Sequence, residues 1–167
     1  MFSGKTEELI RRTSKAKIEG KSVRLFKHEI DSRYHTSAVV SHNSSSSEAI
    51  SIASPSDILK HIQDIQVVGI DEAQFFEHSI VDVCNQLANK GIRVIVSGLD
   101  LDYKGRPFGP MPDLMAVAEY VSKLHAVCSI SGEPASFSYR KTNAQTDILL
   151  GANDHYEPRS RRYFYEL

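Results

Sequence analysis

Met1-Phe2-Ser3-Gly4-Lys5-Thr6 opens the chain and carries the second half of the phosphate-binding pattern G-x-x-x-x-G-K-[ST]. The lysine and the hydroxyl of that pattern hold a nucleotide's phosphates and its magnesium ion. Its first glycine, and the strand that feeds such a loop, are expected upstream of Met1. Residues 7–17 continue at once as a helix-forming stretch. Leu9, Ile10 and Ala16 are spaced to cover one face, and Gly20 stands as the stop. The helix gives the triplet its meaning, because backbone N–H groups and the positive end of the helix favour phosphate there.

A second stretch supports the same reading. Val67-Val68-Gly69-Ile70 is an apolar run that suits a strand buried on both faces, and it ends in Asp71-Glu72. An acid at the end of such a strand assists Mg²⁺, here Asp71 beside Thr6. The next acid, Glu72, is placed to take a proton from water or a substrate hydroxyl. Lys5 is expected to reach the β- and γ-phosphates, with Ser3 and Gly4 completing the loop.

Around these two stretches, strands are expected at residues 22–26, 67–70, 92–96 and 120–127. Helices are expected at 54–63, 80–89 and 114–119. Their alternation predicts an α/β fold, a parallel sheet covered by helices on both faces. Residues 28–48 are polar and end in Ser44-Ser45-Ser46-Ser47, and residues 99–113 are rich in Gly and Pro; both read as loops. After Cys128 the periodicity stops and aromatic and turn-forming residues take over. That predicts a nucleotide-binding domain at 1–127 and a small β-rich lobe at 128–167.

Composition narrows the function classes. A formal net charge of −1 over 167 residues offers no electrostatic case for nucleic acid or a membrane surface. No apolar run approaches the roughly 20 residues of a membrane span. Cys84 and Cys128 are too few and too far apart for a disulfide framework. The expected setting is cytoplasmic.

The order of short blocks then becomes specific. Met1-Phe2-Ser3-Gly4-Lys5-Thr6-Glu7-Glu8-Leu9, Asp71-Glu72-Ala73-Gln74-Phe75-Phe76, Gly98-Leu99-Asp100, Gly105-Arg106-Pro107-Phe108-Gly109, Gly132-Glu133-Pro134-Ala135 and Tyr156-Glu157-Pro158 together resemble the type II thymidine kinases, cytosolic in humans and also bacterial. The resemblance implies transfer of the γ-phosphate of ATP, with Mg²⁺, to the 5′-hydroxyl of deoxythymidine, with Glu72 as the base. It implies that Asp31 and Arg33 lie near the phosphates and metal, and that Gln74 lies where phosphates and nucleoside meet. Met1, Phe75, Leu99, Tyr103, Phe108 and Tyr156 match residues around the sugar and base. A lasso loop over 138–156 is implied to close on thymine through backbone groups. A homotetramer inhibited by dTTP is implied as well.

The chain departs from that family in its small lobe, where two Cys or His pairs usually hold a structural zinc. Cys128 is present, but Ser131 stands at its partner position, and Ser160 and Tyr163 replace the second pair. Hydroxyls are poor zinc ligands beside thiolate or imidazole, so no structural zinc is expected. His125 and His155 are nearby but leave a fourth ligand wanting. The aromatic run Tyr163-Phe164-Tyr165 and subunit contacts are expected to supply order instead. The residues also leave open a kinase of broader nucleoside range, a catalytically silent nucleotide-binding or sensor protein, and a general ATPase.

Overall fold

The computed structural model describes residues 1–30, 38–40, 46–142 and 155–165. Gly4 sits in the left-handed region at φ 74°, a conformation that costs glycine little, and turns the chain into α1 (Lys5–Ile18). Glu7 and Glu8 occupy the first turn, and Lys15 and Lys17 the last, each matching the helix dipole. Glu8 accepts hydrogen bonds from Arg11 and Arg12, both at 2.7 Å. The chain then enters β1 (Val23–His28) and a short antiparallel pair, β2 (Ala38–Val40) with β3 (Ser46–Glu48). It continues through β4 (Ile50–Ile52), a 3₁₀ segment at Pro55–His61, and β5 (Val67–Asp71). Next come a 3₁₀ turn at Ala73–Phe75, α2 (Ser79–Asn89) and β6 (Arg93–Val96).

The four parallel strands run in the order β4-β1-β5-β6. Every residue of β5 is buried, as a strand packed on both faces must be. One face carries Phe26, Val68 and Ile70 against Ile58, Ile80, Val83 and Leu87. The other packs Leu25, Val67 and Ile95 against Leu9 and Ala16 of α1. The expected parallel α/β architecture is therefore present.

Several elements differ from the sequence reading. The loop expected over 28–48 contains part of β1 and the β2–β3 pair, and β4 follows it where no strand was expected. β4 pairs with β1 through Phe26–Ile50 and His28–Ile52, so its order comes from a neighbour and not from its own Ile-Ser-Ile pattern. The helix expected at 54–63 is a tighter 3₁₀ segment, and α3 spans Met111–Val117 rather than 114–119. Of the strand expected at 120–127 only β7 (Ala126–Val127) forms. Residues 118–125 have no strand pairing among the described residues, and Tyr120 and Val121 are exposed. A strand is defined by pairing, and apolar content alone does not make one.

β7 pairs antiparallel with β8 (Pro134–Ala135), and β9 (Phe137–Arg140) pairs antiparallel with β10 (Tyr156–Arg159). A short α4 (Arg161–Phe164) follows. Phe164 stacks on Phe137 at 4.6 Å and meets Tyr165 edge-on at 4.9 Å. Both rings crowd Gly105, where an added Cβ would come within 2.8 Å of the Tyr165 hydroxyl. The lobe is thereby seated on the loop that follows β6.

The tightest seam in the sheet is at Gly69. A Cβ there would lie 2.4 Å from Leu25 Cδ2, 3.2 Å from Thr13 Cγ2 and 3.3 Å from Leu9 Cδ1. Gly69→Ala is expected to destabilise the protein by about 1–3 kcal/mol, the usual cost of overpacking a core. Urea unfolding reads it directly, and wild-type stability would show that Leu25 and α1 can give way around β5.

Candidate active site

Packing α1 on β5 brings together residues far apart in sequence. Thr6 Oγ1 donates to Asp71 Oδ2 at 3.1 Å, and Asp71 Oδ1 accepts the Glu72 N–H at 3.0 Å. The half-buried Lys5 lies on the same loop, with Nζ 3.3 Å from Ser3 Oγ. Burial lowers the Lys5 pKa, and the charges of Glu72 and Asp71 oppose that shift. The Lys5 ammonium, the Gly4 turn and the first N–H groups of α1 form a cationic cradle that suits phosphate. Among the described residues no group of three or more His, Cys, Asp or Glu side chains is arranged as a metal cage. An Mg²⁺ ion takes one or two protein oxygens and completes its shell with phosphates and water, and Thr6 Oγ1 with Asp71 Oδ2 is the pair of oxygens here that could serve one.

Glu72, immediately after β5, has φ 51°, a left-handed backbone that is uncommon for a residue with a side chain and clusters at functional sites. Gln74 Nε2 donates to Glu72 Oε2 at 2.5 Å, and Gln74 Oε1 accepts the Leu99 N–H at 2.9 Å. The buried amide thus ties the carboxylate at the end of β5 to the loop that leaves β6. Gly109 closes over the same residue, since a Cβ there would stand 2.4 Å from the Gln74 carbonyl oxygen.

The expected nucleoside residues gather around this loop. Phe75 and Phe108 meet edge to face at 5.8 Å. Asp102 Oδ1 accepts the N–H groups of Lys104 and Arg106, which shapes the turn that carries Tyr103. The Arg140 guanidinium lies 3.4 Å from the Tyr103 ring centroid and donates to the Tyr156 hydroxyl at 2.8 Å. The Met1 nitrogen is 2.8 Å from Ser138 Oγ on β9. A cavity of about 920 Å³ opens beside Met1, Ser3, Lys5, Leu99 and Asp100 and runs along β6.

Residues 1–164 match the family model described as thymidine kinase. The chain belongs to the thymidine kinase family. Thymidine kinases from Bacteroides fragilis and Bacteroides thetaiotaomicron are each 54% identical to it over 164 residues, covering 98% of this chain and 82% of theirs. One from a Rhodothermus species is 54% identical over the same length, with 77% of that protein covered.

Of the thymidine kinase residues expected from sequence, Ser3, Gly4, Lys5, Thr6, Asp71, Glu72 and Gln74 form one connected group. Phe75, Leu99 and Phe108 adjoin it, while Tyr103 and Tyr156 are linked to each other through Arg140. Asp31, Arg33 and the lasso residues 143–154 lie outside the described residues. Ser138 and Arg140, expected within the lasso loop over 138–156, instead lie on β9, and Tyr156 at its other end begins β10; the pairing of these strands gives Ser138 and Arg140 contacts that no motif announces. Sequence reasoning missed the contact made by Gly109, although Gly105-Arg106-Pro107-Phe108-Gly109 was legible as a block.

In the small lobe, burial pushes the Cys128 thiol up, but the Ser131 hydroxyl and the backbone N–H groups of Ser131, Ser160 and Ile130 outweigh it and bring its pKa to about 6. Ser160 Oγ is buried and has no hydrogen-bond partner among the described residues. His125 Nδ1 pairs with Ser136 Oγ at 3.0 Å.

Burial first, and then the Glu72 charge, raise the Asp71 pKa from 3.8 to about 6. The native state therefore holds this proton more tightly than the unfolded chain does. The associated stability is fully present below pH 3.8 and is lost as pH rises to about 6. Asp71→Asn is accordingly expected to stabilise the ligand-free protein at pH 7 by roughly 1–3 kcal/mol and to add little at pH 3.5. Thermal unfolding at the two pH values separates this from a simple loss of the Thr6 bond, which would destabilise at both.

Proposed function

We propose that this thymidine kinase takes its phosphoryl group from ATP and passes it to the 5′-hydroxyl of deoxythymidine, with Glu72 as general base. The observation that carries the reading is the placement of Glu72. It follows directly on the strand that ends in Asp71, stands beside the Lys5 cradle, and is held by Gln74, which bridges to Leu99. In the step proposed, Glu72 accepts the 5′-hydroxyl proton as that oxygen bonds to the γ-phosphorus. The bond from the γ-phosphorus to the bridging β–γ oxygen breaks, and ADP leaves with the electron pair. Lys5 and the N–H groups at the start of α1 bind the β- and γ-phosphates. Thr6 and Asp71 would hold Mg²⁺, which when bound with ATP neutralises charge building on the phosphate oxygens. Asp31 and Arg33 are proposed to join them.

Met1, Phe75, Leu99, Tyr103, Phe108 and Tyr156 are proposed to enclose the nucleoside. This rests on the block resemblance and on their position, since ligands of open parallel sheets bind at the carboxyl ends of the strands, here the ends of β5 and β6. A homotetramer, inhibition by dTTP and a cytoplasmic setting complete the proposal on the same resemblance. Glu72→Gln is expected to lower kcat by roughly 10²–10⁴-fold, the usual range for losing a general base, while thymidine affinity stays near wild type. Single-turnover phosphoryl transfer and calorimetry check the two halves. A near-normal kcat would remove the role given to Glu72.

We further infer that the small lobe folds without zinc. Ser131, Ser160 and Tyr163 present hydroxyls where a closed site needs thiolate or imidazole, and stacked rings at Phe137, Phe164 and Tyr165 provide packing there. Elemental analysis of the purified protein is expected to find far less than stoichiometric zinc, with an unchanged Tm after chelation. One zinc per chain, released only on unfolding, would overturn this.

A further inference from the structure

Arg140 has a site role that the motifs do not announce. It lies on β9 and is only 9% exposed, and burying a guanidinium is costly unless its charge and donors are engaged. Its plane lies against the Tyr103 ring at 3.4 Å, and its Nη2 donates to the Tyr156 hydroxyl at 2.8 Å. It is also 5.4 Å from the Tyr156 ring centroid. These contacts cross between elements. Tyr103 belongs to the loop leaving the carboxyl end of β6, and Tyr156 begins β10 in the small lobe.

The same loop is fixed at its other end by Gln74, which holds both Leu99 and Glu72. A continuous path therefore runs from Glu72 through Gln74, the loop and Tyr103 to Arg140 and Tyr156. Side chains alternate along a strand, so Ser138 shares a face of β9 with Arg140. Ser138 Oγ touches the Met1 nitrogen, so that face of β9 turns toward the phosphate loop.

We propose that Arg140 is a positioning residue for the nucleoside acceptor: it sets the orientation of Tyr103 and Tyr156 and so the shape of the nucleoside half of the site. The proposal rests on the thymidine kinase reading above. Arg140 does not touch the reacting atoms. It holds two aromatic side chains at once, one by its face and one by its edge, which a lysine ammonium cannot do. The Tyr156 hydroxyl, accepting from Arg140, keeps its own proton to donate.

The test compares Arg140→Met, Arg140→Lys and Tyr156→Phe by steady-state kinetics, varying thymidine and ATP separately, with thymidine binding followed by calorimetry. Arg140→Met is expected to raise the thymidine KM and Kd by roughly tenfold, the combined scale of a cation–π contact and a buried hydrogen bond. The ATP KM should remain near wild type. Arg140→Lys should fail to restore thymidine affinity. Tyr156→Phe should produce part of the same shift, and its combination with Arg140→Met should be less than additive.

Equal rises in both KM values, full rescue by lysine, or an unchanged thymidine KM would each overturn the proposal. Should Arg140→Met fail to fold, Tyr156→Phe still decides: a thymidine KM at the wild-type value counts against it. Failure of the functional reading looks different, since wild-type protein would then neither bind thymidine nor phosphorylate it.

Discussion

The close approach of α1 to β5 at Gly69 is the constraint on which the rest depends. A single missing side chain lets Leu9 and Thr13 settle against the central strand. The helix that begins at the phosphate loop is thus held in register with the strand that ends in acids. Gly69 and Asp71 are two residues apart on a strand, and Thr13 and Thr6 are seven apart on a helix. Fixing one pair fixes the other, and the Thr6–Asp71 contact at 3.1 Å follows. A strand buried on both faces cannot slip by one residue without turning Val68 and Ile70 out of their layer. The register that sets the chemistry is therefore enforced by the hydrophobic core, where the free energy is large, and not by the polar contacts themselves.

That core supports a site which is unfavourable taken alone. Asp71 is buried with a second carboxylate next to it, and Glu72 is held in a left-handed backbone conformation. Both features cost stability in the absence of ligand, and strained or desolvated groups of this kind cluster at functional sites. Gln74 is the economical element of the arrangement. Its one buried amide satisfies the carboxylate by donating and the Leu99 N–H by accepting, so the ends of two neighbouring strands are positioned by a single side chain.

The parts legible in the sequence are those governed by local rules. The helix start at Gly4-Lys5-Thr6, the all-apolar β5 with its terminal acids, and the periodicity of α2 each state their structure within a few residues. β4 was not legible because Ile50-Ser51-Ile52 is ordered by pairing with β1. The stretch before Ala126 carried a strand-like composition, yet no described neighbour pairs with it. The site divides in the same way. Lys5, Thr6, Asp71 and Glu72 are positioned by secondary structure that their own segments encode. Arg140 is positioned by strand pairing in the lobe and by a loop some forty residues earlier, and nothing near Tyr139-Arg140-Lys141 signals that meeting.

The small lobe shows what long-range contacts can do where the local sheets are small. Among the described residues its strands pair two by two, and isolated pairs of that size are marginal in water. What surrounds them is stacking: Arg159 over Tyr139 at 3.3 Å, Arg161 near Phe137 at 4.9 Å, Phe137 on Phe164, and Arg140 on Tyr103. The last of these, with the packing of Phe164 and Tyr165 against Gly105, ties the lobe to the loop beyond β6. The lobe and the loop therefore order each other through Arg140, which links Tyr103 to Tyr156. The half of the candidate site around Tyr103 and Tyr156 is in this sense built from contacts across the chain, while the half around Lys5, Thr6 and Asp71 is built into the sheet.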